Sequence, residues 1–367
     1  MRSLLVTGGA GFIGANFVHY WLKRHAGDRL VVLDALTYAG NIANLEATRD
    51  KPGFHFVVGD IRDEALLDAL LAEHAIDTVV HFAAESHVDR SIAGPDAFIE
   101  TNILGTHALL KAAKRAWLDS GCAPPSARFH YVSTDEVYGS LDPSDPAFSE
   151  ATPYTPNSPY AASKAAADHL VRAYHHTFEL PVTTSNCSNN YGQHQFPEKL
   201  IPLMIIHALE GKALPIYGDG RNIRDWLHVA DHCRGIELVL ERGKTGRTYN
   251  LGGNNEQANI AIVRLLCRLI DETVGDDSAL QQRFPSCPAA SGKPTDSLIR
   301  FVTDRPGHDR RYAINTERAR NELGYVPQVE FAEGLRETLA WYLANEPWWR
   351  NILSGAYRDW MHQQYGM

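Results

Sequence analysis
Short apolar runs recur through the first half of the chain, each closed by small or polar residues. Leu4-Leu5-Val6, Leu30 to Leu33, Phe54 to Val58, Thr78 to Phe82, Arg128 to Val132 and Pro181 to Asn186 have strand length. Between them, apolar residues fall at helical spacing over Ala15 to His25, about Asp63 to His74, Pro95 to Trp117 and Tyr160 to about Phe178. Strict alternation of strand and helix implies right-handed crossovers and a parallel sheet. The predicted fold is α/β, a Rossmann-type doubly wound sheet.

The second half is less periodic and predicts a smaller mixed α/β domain. Asn189 to Gly192 reads as a turn where the chain leaves the first domain, and Phe196 opens a helix to about Glu210. Leu214 to Tyr217 is a short strand, Gly218-Asp219-Gly220 a turn, and Arg224 to Val229 leads into a helix ending near Arg242. Asn250 to Gly253 is a strand end, Ile260 to Glu272 a helix and Ser286 to Ser297 a loop; helices near 316–323 and 331–345 follow. The expected domains are 1–190, with about 221–256 packing back onto it, 191–345 for a substrate, and a tail over 346–367. Trp348 and Trp349 read as packing or interface aromatics.

Composition narrows the classes. The 367 residues are 44% hydrophobic, enough for a substantial core. A net charge of −9 argues against a general nucleic-acid surface, so an anionic ligand must be held by local basic residues and backbone amides. The five cysteines, Cys122, Cys187, Cys233, Cys267 and Cys287, are scattered without a C-x-x-C pair, which predicts reduced thiols, no metal site and a cytoplasmic protein. The first strand enters a glycine loop at once, leaving no room for a signal peptide, and no apolar run is long enough to span a bilayer.

Candidate chemistry sits where strands end. Thr7 to Gly14 reads TGGAGFIG, strand to glycine turn to helix. Gly8, Gly11 and Gly14 allow a tight turn, close approach to a pyrophosphate and tight helix packing. Twenty residues on, the second strand ends at Asp34, where a carboxylate can accept both hydroxyls of an adenine ribose. No arginine follows immediately to hold a 2′-phosphate, so NAD is favoured over NADP. Asp60 closes the third strand and can face the adenine. After the fourth strand, Ala83 and Ala84 let the backbone lie against a dinucleotide, and Ser86 and His87 project toward a substrate, His87 equally fitting a hydrogen-bonded loop.

The fifth strand ends in Ser133-Thr134-Asp135-Glu136, a hydroxyl followed by two acids. A neutral Asp can donate a proton while an ionised Glu accepts one, if their surroundings separate the pKa values; the alternative is that the acids cap the following turn. A proline-rich loop, Asp142 to Pro159, has the length of an active-site flap. Tyr160 and Lys164 then share one helix face, so that the ammonium can lower the phenol's pKa and hold a nicotinamide ribose. Asp304 to Arg311 is a basic cluster suited to an anion.

Together the glycine loop, Thr134 and the Tyr-x-x-x-Lys pair resemble the extended short-chain dehydrogenase/reductase superfamily. Within it, the chain resembles the dTDP-glucose 4,6-dehydratase family through LTYAGN (36–41), AAESHVDRS (83–91), STDEVYG (133–139), YAASK (160–164), NCSNNYG (186–192), FPEKLIP (196–202), PIYGDGRNIRDW (215–226) and DRPGHDRRY (304–312). The resemblance implies that Tyr160, with Thr134 and Lys164, drives oxidation at C4 of dTDP-glucose by NAD. Glu136 then removes the C5 proton, Asp135 protonates the departing C6 hydroxyl, and hydride returns to C6, giving dTDP-4-dehydro-6-deoxyglucose for deoxysugars such as rhamnose. It further implies NAD contacts from Phe12, Ile13, Asp34, Ala35, Leu36, Thr37, Asp60, Ile61, Phe82, Ala83, Ala84, Glu85, Ser86, Thr101, Tyr160, Lys164 and Asn190. Nucleotide-sugar contacts are implied for Ser86, Thr134, Asn189, Lys199, Leu200, Pro215, Ile216, Tyr217, Arg224, Asn259, Asp304, Arg305, Pro306, Gly307 and His308, and a homodimer through helices near 100–117 and 160–177. The chain departs from the family at Gln193-His194, where Gly, Pro and an aromatic are usual, a change expected to sit near the sugar. A nucleotide-sugar 4-epimerase, a dehydratase of another nucleotide sugar and a non-catalytic cofactor sensor are the alternatives.

Overall fold
The computed structural model describes residues 1–121, 123–304 and 307–355. Its first half runs β1 (Ser3–Thr7), α1 (Phe12–Arg24), β2 (Arg29–Asp34), β3 (Phe54–Val58), α2 (Glu64–Glu73), β4 (Thr78–His81), α3 (Val88–Ala93), α4 (Asp96–Phe98), α5 (Thr106–Lys114), β5 (Arg128–Thr134), α6 (Pro159–Phe178) and β6 (Val182–Cys187). With β10 (Thr248–Leu251) these strands form one seven-stranded parallel sheet in the order β10-β6-β5-β4-β1-β2-β3. The order reverses between β1 and β4, the crevice where such sheets bind ligands at their carboxyl ends.

Both faces of the sheet are covered, as the apolar runs require. Leu5, Val31, Leu33, Val79, Phe129 and Tyr131 pack toward α2, α5 and α6, while Leu4, Val6, Leu30, Val32, Val80 and Val132 pack toward α1 and α8 (Val229–Arg242). The predicted 95–117 helix is a continuous run over 96–119 interrupted by wide π turns at Ile99–Gly105 and Arg115–Asp119. The first of these carries Thr101 and Asn102, and such turns often serve to aim functional side chains.

The second half adds β7 (Asn189–Tyr191), α7 (Leu200–Leu209), β8 (Leu214–Tyr217), β9 (Ile223–His228), β11 (Glu256–Ala258), α9 (Asn259–Gly275), α10 (Ser278–Arg283), β12 (Ile299–Val302), α11 (Glu317–Leu323), α12 (Phe331–Ala344) and α13 (Glu346–Ser354). Four local readings are corrected. Asn189–Tyr191 is a strand, pairing in parallel with Trp226–His228 in a β11-β9-β7 sheet. β12 was not foreseen; it pairs in parallel with β8. The helix expected from Phe196 begins at Leu200. The 286–297 loop contains tight helical turns at Pro288–Ser291 and Thr295–Leu298, with α10 before it.

A separate core joins α7, α9 and α12, and Trp349 of α13 is fully buried in it. Ala319, Leu323 and Tyr325 instead pack with the seven-stranded sheet's core, as does Val229 to Leu240 of α8, so the chain crosses between the two cores more than once.

Candidate active site
Strand β5 ends at Thr134, and Asp135–Tyr138 form one tight helical turn. The cap of that turn is Thr134, whose hydroxyl accepts from the Glu136 N–H at 3.3 Å, so the acids are not needed as caps. Their environments differ. Asp135 is 1% exposed, and its Oδ2 has no hydrogen-bond partner among the described residues. Burial, then the charges of Glu136 and Asp225, push its carboxyl well above the ordinary range against the pull of Arg224, which favours its protonated form. Glu136 lines the large cavity.

Tyr160 and Lys164 are set by the start of α6, where Ser158 accepts from Ala161 N–H at 3.1 Å and Pro159 fills the first turn. Ser163 donates to the Tyr160 carbonyl at 2.7 Å and accepts from the Asn102 side chain at 2.9 Å. Asn102 also brackets Glu85, accepting from its N–H and donating to its carbonyl, so one buried amide fixes both the α6 start and the loop after β4. Lys164 Nζ donates to the Val132 carbonyl at 2.8 Å and lies 4.2 Å from the Tyr131 ring centre. Burial and the Glu136 charge push the Tyr160 phenol well above its usual range; burial pulls Lys164 down.

Thr134, Glu136, Tyr160 and Lys164 open onto a cavity of about 490 Å³, while Asp135 is buried behind its wall and is not among the lining residues. Gly8, Gly11, Phe12, Ile13, Gly14, Asp34, Ala35, Thr37, Asp60, Ile61, Phe82, Ala83, Ala84, Glu85, Ser86, Thr101, Tyr160, Lys164 and Asn190 line it, as do Thr134, Asn189 and Lys199 of the predicted sugar set. The residues fit a dinucleotide. A Cβ on Gly14 would fall 2.2 Å from the Gly8 carbonyl oxygen, and one on Gly8 2.5 Å from Ala83 N, so these two positions admit no side chain. Asp34, 8% exposed, is oriented by N–H groups of Leu36 (2.8 Å) and Ala10 (2.9 Å). Leu36 is buried outside the cavity and contributes that N–H. Asp60 is gripped by Arg62 at 2.7 Å, and both stand at the cavity wall.

The remaining described residues of the predicted sugar set lie outside this cavity. Arg224 of β9, 5% exposed, donates to the carbonyls of Ile223 (2.7 Å) and Asp309 (3.0 Å) and lies 4.2 Å from the Tyr312 ring centre. His308 meets the Asp304 carboxylate at 2.6 Å and faces Tyr217 edge-on, and Asp304 lies against Gly218. Gly307 takes the left-handed conformation of that turn. Asn259 N–H donates to the Asn222 carbonyl at 3.0 Å, and its Oδ1 is buried without a partner among the described residues. Leu200 packs on the α7 core and Pro215 is half-buried. Ile216 is a correction: strand alternation turns its side chain into the core, 2% exposed, leaving only its backbone. Arg305 and Pro306 lie outside the described residues. His87 caps α3, accepting from Arg90 N–H at 3.3 Å, and its ring nitrogen is 3.7 Å from Glu198.

Gln193-His194 is not at the cavity. The Asn16 side chain donates to the Gln193 backbone carbonyl and accepts from the Gln193 side-chain amide, both at 2.9 Å, and His194 stacks on His19 and faces Trp341 and Trp348. The departure therefore sits in a contact between α1, α12 and α13 and off the cavity lining. Lining residues outside the expected set include Tyr38, Arg62, Cys187, Gln195, Phe196 and Glu198. Tyr38 stacks under the Arg90 guanidinium at 3.8 Å; both lie within LTYAGN and AAESHVDRS, so the signal was present but unassigned.

Fold and site together define a dinucleotide-dependent enzyme of the tyrosine-lysine type, with an acid pair added at the end of β5. Residues 5–338 match the family model described as GDP-mannose 4,6 dehydratase, and the chain belongs to that family. It is 54% identical over 359 residues to a dTDP-glucose 4,6-dehydratase of Xanthomonas campestris, covering 98% of each chain. Among solved structures it resembles a Bacillus anthracis dTDP-glucose 4,6-dehydratase in complex with NAD (TM-score 0.82, 45% identity, 96% of this chain and 100% of that one). It also resembles DesIV, a dTDP-glucose 4,6-dehydratase of Streptomyces venezuelae with NAD bound (TM-score 0.83, 47% identity, 96% and 100%).

Proposed function
We propose that this chain is a dTDP-glucose 4,6-dehydratase, a hydro-lyase that converts dTDP-glucose to dTDP-4-dehydro-6-deoxyglucose with its NAD regenerated in each cycle. The observation that carries this is the Thr134-Asp135-Glu136 turn, where one buried neutral acid and one cavity-lining acid stand beside Tyr160 and Lys164. When bound in the glycine-loop cavity, NAD would supply the two-electron acceptor and donor that moving a hydrogen from C4 to C6 requires. Tyr160 takes the C4 hydroxyl proton, with Thr134 holding the same oxygen and Lys164 stabilising the phenolate against burial. The C4 ketone acidifies the C5 hydrogen, which Glu136 removes. Asp135 gives its proton to the C6 hydroxyl, which leaves as water, and Glu136 returns a proton to C5 when C6 is reduced. An epimerase needs no such acid pair.

The site assignments are those the sequence motifs imply, and the cavity lining supports most of the NAD set together with Ser86, Thr134, Asn189 and Lys199. The glycine loop, Asp34 to Thr37, Asp60, Ile61, Phe82 to Ser86, Thr101 and Asn190 hold NAD. Ser86, His87, Asn189, Lys199, Leu200, Pro215, Tyr217, Arg224, Asn259 and Asp304 to His308 hold the nucleotide sugar. Exposed Ile99, Leu104 and Phe178 on the 96–119 run and α6 support a homodimer through these helices. Cys187, Cys233, Cys267 and Cys287 are buried free thiols, which supports the cytoplasm. Among the described residues no helix is long and apolar enough to cross a membrane.

Incubation of the purified protein with dTDP-glucose and with UDP-glucose, without added NAD, tests this reading by mass spectrometry. The expected product has lost one water from the dTDP sugar; a galactose isomer of unchanged mass would make the chain an epimerase.

Two variants follow from the site. Gly11→Ala places a Cβ 3.3 Å from the Gly8 carbonyl, a contact the loop can absorb, but on the cavity wall. It is expected to fold normally and to bind NAD about tenfold or more weakly, as read by titration of the apoprotein. Asp135→Asn removes the acid but keeps its shape. Because the folded pKa of Asp135 is raised, the wild-type protein loses stability as pH rises from the unfolded carboxyl value through the folded one, and the amide does not. The variant is expected to lose elimination while unfolding at a temperature equal to or above the wild type at neutral pH and matching it in acid, as shown by calorimetry.

A further inference from the structure
Ala10 lies fully buried in the glycine loop between Gly9 and Gly11, neighbours that add no restraint of their own, so contacts from elsewhere must hold its two peptides. Its N–H donates to Asp34 Oδ2 at 2.9 Å. Its carbonyl accepts from the Asn41 N–H at 3.0 Å and from Asn44 Nδ2 at 2.9 Å. Ala10 therefore sets both the Asp34 carboxylate and the path of the loop into Gly11, which lines the cavity.

Asn44 belongs to the helical turn Ile42–Thr48 after β2 and is 2% exposed. Its Oδ1 accepts from the indole Nε1–H of Trp348 on α13 at 2.8 Å, across 304 residues of chain. Only one orientation of the amide serves both neighbours, because the Ala10 carbonyl requires a donor and the indole N–H an acceptor. The Asn44 carbonyl accepts from His19 Nε2 of α1 at 2.7 Å; the His19 ring stacks on His194, which faces Trp348 with ring centres 6.1 Å apart. A parallel tie reaches the other side of Gly11, where Asn16 Nδ2 donates to the carbonyls of Phe12 and Gln193, each at 2.9 Å. The helix that carries Trp348 is anchored separately. Trp349 is fully buried in the core of α7, α9 and α12, whereas Trp348 is half-buried.

We propose that Trp348 is a positioning residue for the cofactor: through Asn44, its indole N–H holds the Ala10 peptide, and with it the glycine loop and Asp34, in the form that NAD meets. This rests on the glycine-loop cavity being the seat of NAD. Without the indole donor, Asn44 Oδ1 is buried and unpaired, so the amide turns toward another donor and releases Ala10. The loop must then be ordered again when NAD binds, which weakens its retention. Where NAD is reduced and reoxidised within one cycle, losing it midway ends the cycle, so retention is the property this tie serves.

The test sets Trp348→Phe against Trp348→His. Phenylalanine keeps a six-membered ring toward Trp341 and Tyr342, whose ring centres lie 4.9 Å and 6.2 Å from that of Trp348, and loses the N–H. Histidine loses more of that packing, but its Nε2 occupies the same ring position as the indole nitrogen and can donate. Release of NAD from the purified holoenzyme, followed by exchange with isotopically labelled NAD, is expected to be about tenfold faster in Trp348→Phe. Trp348→His should stay closer to the wild type. Asn44→Ala should release NAD at least as fast as Trp348→Phe, and combining the two should add nothing further. Wild-type release from Trp348→Phe, or faster release from Trp348→His than from Trp348→Phe, would overturn the proposal and leave Trp348 a packing aromatic. Should Trp348→Phe not fold, Trp348→Leu, which also lacks the donor, takes its place with the same two outcomes. The exchange needs no nucleotide sugar, so it is independent of the dehydratase reading; a wild-type protein that holds no NAD would overturn the cavity assignment and the proposal together.

Discussion

Glutamine at position 136 is expected to stop the reaction between oxidation and elimination. The amide matches the carboxylate in shape and leaves Tyr160, Thr134 and Lys164 in place, so dTDP-glucose should still reduce the bound cofactor, visible as absorbance near the reduced nicotinamide band. Removal of the C5 proton then has no base. Overall kcat should fall by about 10²–10⁴, the usual worth of a positioned base, with KM nearly unchanged. In heavy water the variant should place no deuterium at C5. Preserved dehydration would take the base role away from Glu136 and leave it a charge that merely separates the pKa of Asp135 from its own.

Phenylalanine at position 160 should act one step earlier. Tyr160 is 8% exposed and its ring faces Phe98 edge-on, so removal of the hydroxyl should leave packing and NAD binding intact. Without the phenolate the C4 hydroxyl proton has no acceptor, and both oxidation and elimination should fall together by about a thousandfold. The contrast separates the roles: Glu136→Gln accumulates reduced cofactor and Tyr160→Phe does not. Reduced cofactor in Tyr160→Phe would show that Thr134 or a water carries the proton.

The cofactor half of this account was legible in the sequence because its determinants are local. Gly14 is required by a clash within the turn itself and Gly8 by its left-handed backbone, Asp34 ends its own strand, and apolar runs covered on both faces declare a parallel sheet. The acid pair and Tyr160 with Lys164 were also visible, since each is a short string at the end of one element. What escaped depends on contacts across the fold. β7 and β12 are three or four residues long and become strands only by pairing with β9 and β8, so no local pattern marks them. Ile216 follows from that pairing, which fixes which way its side chain turns. Gln193 and His194 looked like neighbours of the sugar by position in the chain, yet α1 and α12 fold over them. Trp348 read as a packing aromatic until the fold brought Asn44 to its indole N–H.

The most direct test follows one hydrogen. dTDP-glucose carrying deuterium at C4 is incubated with the protein in ordinary water, and the product is read by mass spectrometry and NMR. If NAD stays bound through a cycle of C4 oxidation, loss of water and return to C6, the product has lost one water and carries the deuterium in its C6 methyl group. Deuterium retained at C4 of an isomer, or a dehydrated product without the label at C6, would contradict the account.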